Sequence, residues 1–273
     1  MKTLTNAALL ILLWGGMEGA YAQSDFWQQI NGPLGGNIAV VAVNANGHIF
    51  AGSYNGGVFK SLDHGEHWRT TEQELNAITV YALLIDYHGR VWVGTGRGVY
   101  CSNDNGEHWQ RINAGLDNKI VFTFVVTYQD DIFAGTYGFG VFKLSYGDTT
   151  WTHFNDGLTK GIVRELALHP NGKLFAAIEE GGVYKTVVTE NRWVACNNGL
   201  SNFYARALLS LPSGELIVGT TEGAFFSNNE GGVWEKVASQ FFCSFVYDPD
   251  DEAILAASEQ RIYRSKDRGR PGR

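Results

Sequence analysis

Residues 78–112 read ITVYALLIDYHGRVWVGTGRGVYCSNDNGEHWQRI, and this stretch decides the fold. Three runs rich in β-branched and aromatic residues, at 78–86, 91–94 and 99–101, are separated by turns, and a fourth run begins at Trp109. Residues of this kind favour strands, and turn glycines supply the positive φ that tight hairpins need. The stretch therefore predicts four short antiparallel strands, which we call A to D.

The four-strand unit repeats along the whole chain. Tryptophans at the start of predicted strand D recur every 41 or 42 residues, at Trp27, Trp68, Trp109, Trp151, Trp193 and Trp234. The segment Asn-x-Gly-Leu recurs at the same interval, at residues 113–116, 155–158 and 197–200. A period near 42 residues with four strands per unit is typical of a β-propeller blade.

Six strand-A segments predict an all-β fold with a single six-bladed propeller. Trp27 precedes the first strand A, whereas the last unit has no strand D after it. We therefore expect residues 26–30 to form the outer strand of the last blade, because this pairing removes an exposed sheet edge. A seven-bladed ring and a piece of a longer array stay open as alternatives, since residues 268–273 interrupt the last unit before its tryptophan.

The first 22 residues have the features of a secretory signal. Lys2 is followed by an apolar run at residues 7–14, and Ala20-Tyr21-Ala22 has the small-x-small pattern of a signal peptidase site. We expect cleavage after Ala22, a propeller domain over residues 23–273, and a secreted or periplasmic location. The apolar run is too short to span a bilayer, so no membrane insertion is expected.

The net charge limits the kinds of molecule that the protein is expected to bind. The net charge of −7 without a basic cluster argues against nucleic acid as a partner.

The three cysteines, Cys101, Cys196 and Cys243, fall in predicted blades two, four and six, too far apart to pair, so free thiols are expected. His64 and His67 share one turn without further ligands, and we expect no metal, no cofactor and a monomeric protein.

The connection between strands C and D carries a recognisable motif. Residues 61–68 (SLDHGEHW) and 102–109 (SNDNGEHW) match Ser-x-Asp-x-Gly-x-x-Trp, residues 227–234 (SNNEGGVW) match with Asn for Asp, and residues 265–269 (SKDRG) begin a fourth copy. The motif resembles the Asp-box, or bacterial neuraminidase repeat, of sialidase-like propellers. The sequence pattern of residues 89–95 (GRVWVGT) also resembles the propeller repeats of two-component regulators. The Asp-box resemblance implies a structural turn at the outer rim, with the tryptophan packed into its blade and the function elsewhere.

The other face of the ring is the predicted ligand face. In an antiparallel blade the D–A and B–C connections lie on one side, where propeller ligands occupy the mouth of the central channel. Counting six residues from each repeated leucine predicts a ring of side chains there, Val40, Tyr81, Phe122, Arg164 and Arg206. Aromatic rings and guanidinium groups on one concave face suit a glycan or a small anion. The candidate ligand-binding residues are Tyr54, Arg97, Tyr137, Arg164, Glu179, Arg206 and Glu222, and ordinary solvated loop residues are the alternative interpretation.

The function predicted from these features is a binding or interaction module, with a glycan or an extracellular protein as partner. The resemblance to sialidase-like and xyloglucanase-like propellers implies a glycoside hydrolase as an alternative, with candidate catalytic groups Glu165, Glu179, Glu180 and Tyr137. Catalysis is the less favoured interpretation, because the Phe-Arg-Ile-Pro segment of sialidases is absent and xyloglucanase-type enzymes use two propellers. The resemblance to regulator repeats implies a third reading, the ligand sensor of a signalling system.

Overall fold

A computed structural model describes residues 32–33, 37–71, 75, 77–117, 119–158, 161–267 and 269–270. These residues form 23 β-strands and no α-helix, and the strands pair into six antiparallel sheets in chain order. The prediction of an all-β, six-bladed propeller is confirmed. Within the described part of the chain there is no helix long and apolar enough to cross a membrane.

Each sheet is one blade, and its strands run from A at the channel to D at the rim. The strands of blades one to three are β1 (Asn37–Val43), β2 (Ile49–Tyr54), β3 (Gly57–Ser61), β4 (Arg69–Thr70), β5 (Val80–Ile85), β6 (Val91–Thr95), β7 (Gly98–Ser102), β8 (Gln110–Arg111), β9 (Val121–Val126), β10 (Ile132–Thr136), β11 (Val141–Leu144) and β12 (Thr152–His153). Those of blades four to six are β13 (Val163–Leu168), β14 (Lys173–Ile178), β15 (Gly182–Val187), β16 (Val194–Ala195), β17 (Ala205–Ser210), β18 (Leu216–Thr220), β19 (Gly223–Ser227), β20 (Glu235–Ala238), β21 (Ser244–Asp248), β22 (Ala253–Ala257) and β23 (Ile262–Ser265).

The sixth blade has three strands among the described residues, whereas each of the other five has four. The predicted closing strand at residues 26–30 and the predicted signal at residues 1–22 lie outside the described residues. Residues of all six blades nevertheless line one central channel, which places the strands A around a common axis.

The hydrophobic core lies between neighbouring blades. One buried cluster joins Trp92 of blade two with Phe124 and Trp151 of blade three. The sequence predicted that each repeated tryptophan packs into its own blade, but the structure shows that Trp151, Trp193 and Trp234 also contact the blade before their own. The indole N–H groups donate to main-chain carbonyl oxygens of the preceding unit at 2.7–2.8 Å, in the pairs Trp151–Ile112, Trp193–Phe154 and Trp234–Cys196. The tryptophan period is therefore a period of contacts between blades.

The Asn-x-Gly-Leu segment connects the rim to the channel face. The Oδ1 of Asn155 accepts the main-chain N–H of Val141 at 2.6 Å, and its Nδ2 donates to the carbonyl of Phe139 at 3.0 Å. Asn113 and Asn197 make the same two bonds in their own blades. Each asparagine thereby holds the B–C connection of its blade, and these connections border the channel mouth.

The glycine of this segment is required by its surroundings. Gly157 has a φ of +78°, and a Cβ there would lie 2.4 Å from the carbonyl oxygen of Trp193. Gly157→Ala is expected to lower the free energy of unfolding by about 2–4 kcal/mol, since a left-handed non-glycine residue costs about 1–2 kcal/mol and the backbone contact adds to it. Gly172 is the matched control, because it has a φ of +83° and open space around its Cβ position. Equal losses for the two alanine variants in chemical denaturation would contradict this account.

The turns of the C–D connections satisfy their own polar groups. In blade one the Ser61 hydroxyl accepts the N–H of Gly65 at 2.8 Å, and Asp63 Oδ1 accepts the N–H of His67 at 2.9 Å. The main-chain donor of His67 is the main reason why the pKa of Asp63 lies well below its usual range. The serine-to-glycine bond recurs in blades two, five and six. These turns are stabilised locally and lie on the face opposite the channel mouth.

Candidate ligand site at the channel mouth

The central channel opens on the D–A and B–C face as a cavity of about 590 Å³. Its lining residues come from all six blades and are Ala39, Val40, Tyr54, Tyr81, Phe122, Arg164, Glu165, Arg206, Thr221, Phe241, Cys243, Ser244 and Glu259. This volume is in the range of small-molecule sites in proteins.

A β-bulge in strand A sets the ring of side chains at the mouth. In blade two, Val80 pairs with Thr95 and Ala82 pairs with Gly94, so Tyr81 is the extra residue. The extra residues of blades three to five are Phe122, Arg164 and Arg206. Bulges re-aim side chains at the ends of strands, and here the bulged side chains line the channel.

Blade one departs from the predicted ring by one residue. Its bulge lies at Ala39 and not at Val40, which pairs with Gly52. In sequence, Ala39 is five residues beyond Leu34, whereas Tyr81 is six residues beyond Leu75, so the count from the leucine is offset by one in blade one. Both Ala39 and Val40 still line the cavity.

One half of the mouth is an arc of aromatic rings. Tyr54 and Tyr81 meet edge to face with ring centroids 6.0 Å apart, and Tyr81 meets Phe122 in the same way at 5.1 Å. Phe122 continues to Tyr137 at 5.9 Å. Edge-to-face contacts fix the orientation of each ring, so the arc is a preformed surface.

The other half of the mouth is cationic. Arg164 Nε donates to Glu179 Oε2 at 2.7 Å, and Arg206 reaches Glu179 Oε1 at 2.7 Å. The two guanidinium groups therefore share one carboxylate, and the cluster carries one net positive charge. The guanidinium carbon of Arg164 also lies 4.9 Å from the centroid of Phe122, where the cationic half meets the aromatic arc. Arg206 Nε is buried and has no hydrogen-bond partner within the described structure.

Glu165 is the carboxyl group that faces the cavity beside these arginines. The Thr123 hydroxyl donates to its Oε1 at 3.0 Å. Burial raises the pKa of Glu165 to about 7, and the hydrogen bonds from Thr123 and from the main chain of Leu166 partly offset this effect. At a pH near 7, the protonated and the ionised forms of the Glu165 carboxyl are therefore both populated.

The structure brings together some of the predicted site residues and separates others. Tyr54, Glu165, Arg164 and Arg206 line the cavity, and Glu179 lies against both arginines as their counter-ion. Tyr137 ends the aromatic arc with half of its side chain exposed. The residues Arg97, Glu180 and Glu222 are exposed on B–C connections and do not line the cavity. Phe241, Cys243 and Ser244 also line the cavity and could not be placed from the sequence, because the entry to strand A of blade six lacks the repeated leucine used for counting.

No group of three or more His, Cys, Asp or Glu side chains within the described ranges could hold a metal ion. The three cysteines are unpaired, as expected from their spacing. Cys101 and Cys196 are buried, whereas Cys243 is partly exposed and lines the channel. Cys243 is thus the one of the three described cysteines that lines the cavity, and its rate of alkylation can report on a bound ligand.

Comparison with known proteins places the fold among propellers. Residues 74–97 match the family described as two component regulator propeller. No curated protein sequence matches this chain. The chain is similar to the extracellular domain of a B. thetaiotaomicron protein assigned to the hybrid two component systems, with 17% identity over 82% of this chain and 33% of that chain, and a TM-score of 0.72.

Two further solved structures have the same architecture. The GH74 xyloglucanase from Xanthomonas campestris is 14% identical over 82% of this chain and 44% of its own, with a TM-score of 0.66. YCF48 bound to D1 peptide is 15% identical over 80% of this chain and 76% of its own, with a TM-score of 0.59. The chain spans about a third of that extracellular domain and less than half of the xyloglucanase, and identities this low show the fold alone.

Proposed function

We propose that this chain is an extracellular ligand-binding propeller whose channel mouth binds a saccharide that carries a carboxylate. The observation that carries the proposal is the pair Arg164 and Arg206, which share the single counter-ion Glu179 beside an aromatic arc. An extracellular location is supported by the signal-like N-terminus and by the extracellular domain of a two component system among the structural neighbours.

The hydrogen-bond donors of the two arginines favour a ligand with a carboxylate. Each guanidinium has five N–H donors, and one carboxylate cannot occupy the donors of two arginines. Arg206 Nε in particular is buried without a partner. A ligand carboxylate would pair with these donors in the bidentate geometry that arginine favours. Glu165 and Glu259 line the same cavity, so an acidic ligand is favoured by the unoccupied guanidinium donors and not by the net charge of the cavity.

The aromatic arc supports a saccharide as the carrier of that carboxylate. Tyr54, Tyr81 and Phe122 present ring edges and faces to the cavity, together with two phenol hydroxyls. Tyrosine combines an apolar ring with a polar tip, and sugar rings offer an apolar face and hydroxyl groups to match. A cavity of about 590 Å³ accommodates one or two sugar units at its mouth.

The experiment that tests this function is a calorimetric titration with matched oligosaccharides. Each acidic oligosaccharide, with one terminal uronate or sialate, is paired with its neutral counterpart of the same length. We expect the acidic member to bind at least about tenfold more tightly, which corresponds to about 1.4 kcal/mol from one additional charge-assisted contact. Ligand protection of Cys243 against alkylation locates the binding in the channel. Equal binding of both members, or binding only of a peptide carboxylate, would contradict the proposal.

A glycoside hydrolase is the second candidate, and Glu165 is the observation that favours it. A carboxyl with a pKa of about 7 in a cleft has the protonation state that a general acid needs at neutral pH. Glu259 supplies another carboxyl group to the same cavity, whereas Glu179 is held by two arginines. Hydrolysis of a bound oligosaccharide that is lost in Glu165→Gln would favour this candidate over simple binding.

Affinity for an acidic ligand is expected to depend on pH through Glu165. Its neutral form, which prevails below a pH of about 7, removes a negative charge from the site, so binding should weaken as pH rises through about 7. The loss is expected to be about threefold to tenfold between pH 6 and pH 8, from one like charge in a partly solvated cavity. From pH 6 to pH 8, the Glu165→Gln variant should keep the affinity that the native protein has at pH 6. An unchanged pH profile in that variant would show that another group is responsible.

A further inference from the structure

Three tyrosines and a histidine meet on the face opposite the channel mouth. They belong to the A–B connections of blades two and three and to the C–D connection of blade three, and we call them the tyrosine patch: Tyr87, His88, Tyr128 and Tyr146. Tyr128 is 62% exposed, Tyr146 58% and Tyr87 46%. The patch therefore presents three large rings to solvent across the boundary between two blades.

Several contacts hold the rings of the patch together. The His88 ring stacks on Tyr146 with centroids 5.4 Å apart and an interplanar angle of 25°. The pKa of the Tyr87 phenol is raised by burial first, and then by the nearby Tyr128 and Asp130. The rings are thus neighbours in space although they come from three separate connections.

The patch rests on a rigid base. Arg90 Nε donates to the buried Asp86 at 2.5 Å, and its guanidinium carbon lies 5.2 Å from the ring of buried Trp92. The same guanidinium lies 5.9 Å from the ring of Tyr146, whose main-chain N–H donates to Asp131 at 3.0 Å. A ligand would meet rings that are already ordered, which lowers the entropic cost of binding.

The basic side chains around the patch each have an acidic partner. His88 Nε2 lies 3.2 Å from Asp130, the Arg90 guanidinium pairs with Asp86, and Lys143 pairs with Asp131 at 2.7 Å. An anionic chain would therefore find no unpaired cation among these residues, in contrast to the channel mouth. Stacking surfaces without a free cation suit an uncharged ligand with hydroxyl groups and apolar ring faces.

We propose that the tyrosine patch is a second saccharide site, which binds an uncharged glycan chain across blades two and three. The chain would lie with its sugar faces on Tyr128 and Tyr146, and the paired charges at the border would accept and donate hydrogen bonds to its hydroxyls. This site does not depend on the channel mouth, so either site can fail without the other. A protein with both sites would bind a neutral glycan through the tyrosine patch, while the channel mouth binds acidic ends of saccharide chains.

Affinity electrophoresis of the full chain in gels that contain uncharged soluble polysaccharides tests the site. The probes are β-1,4-glucan, β-1,3-glucan and mannan of similar length. We expect retardation by at least one probe, weakened about fivefold or more by Tyr128→Ala or Tyr146→Ala, and lost in the double variant. Tyr146→Phe should keep most of the retardation because the ring remains. Val233→Ala, an exposed apolar change on a C–D connection of blade five, is the matched control and should have no effect.

The outcomes separate this proposal from its rivals. Absence of retardation by all three probes, or retardation unchanged in a double variant with a normal melting temperature, would overturn it. Self-association of the native protein that the same two substitutions abolish would assign the patch to a second copy of the chain and would also overturn it. Binding restricted to acidic saccharides and lost in Arg206→Met would belong to the channel mouth, leaving the patch without a ligand.

Discussion

Replacing Arg206 with methionine is expected to weaken the binding of a uronate-bearing oligosaccharide about 30-fold to 100-fold. Arg206 contributes one of the two guanidinium groups at the mouth, and hydrogen bonds to charged groups are worth about 1.5–3 kcal/mol each. The change also removes the net positive charge of the cluster, because Arg164 and Glu179 alone form a neutral pair. Isothermal titration calorimetry of the matched acidic and neutral oligosaccharides measures the effect.

Arg69→Met provides the control for this measurement. Arg69 lies on the outer strand of blade one, half-exposed and paired with Glu107, so its replacement makes the same change in net charge far from the channel. We expect it to change the affinity less than about twofold, since surface charges separated from a ligand by more than a Debye length are screened. An equal loss in both variants would mean that the acidic ligand responds to overall charge and not to a site at the mouth.

The second large effect concerns stability. Trp151→Ala should lower the free energy of unfolding by about 3–5 kcal/mol, the range found when a large buried aromatic side chain is truncated. Trp151 is 2% exposed, packs near Phe124, and donates its indole N–H to the carbonyl of Ile112 in the preceding unit at 2.8 Å. The substitution therefore creates a cavity at the interface of two blades and leaves the partly buried Ile112 carbonyl without its donor. Guanidinium denaturation followed by circular dichroism measures the loss.

Two further variants separate packing from hydrogen bonding at this position. Trp151→Phe keeps most of the apolar surface and loses the N–H, so a smaller loss of about 1–2 kcal/mol is expected. Phe203→Ala removes an aromatic side chain that is 47% exposed, and we expect a loss below about 1 kcal/mol. If Phe203→Ala proved as damaging as Trp151→Ala, the repeated tryptophans would not be the contacts that join the blades.

The blade structure could be predicted because its determinants are local. The alternation of apolar runs with glycine turns specifies four short strands, and the turn at residues 102–109 closes on bonds between its own residues. The repeat then specifies the ring, because each unit exposes an apolar face that only a neighbouring unit can cover. Counting also placed the side chains of blades two to five at the mouth, but it was offset by one residue in blade one and gave no residue in blade six.

The candidate site was only partly predictable because its groups are far apart in the chain. Arg164, Glu179 and Arg206 could be placed on one face, but the sequence does not show that one carboxylate serves both arginines. The same limit applies to the candidate acids: Glu165 and Glu179 look alike in the sequence, yet one faces the cavity with a raised pKa and the other is a counter-ion. Arg97 and Glu222 belong to the same connections and stay outside the cavity, because a connection has two sides and only one faces the channel.

The sequence by itself determined the architecture: an all-β chain, six units, the positions of the turns, and the face on which the B–C connections lie. Only the tertiary structure decided the roles of individual side chains. It showed that tryptophans join neighbouring blades and that Glu179 is the counter-ion of two arginines. It also showed the raised pKa of Glu165 and the tyrosine patch on the opposite face. The physical reason is range. Strand and turn preferences act over a few residues and repeat with the chain, whereas charge pairing, burial and ring stacking depend on groups that the ring brings together from different blades.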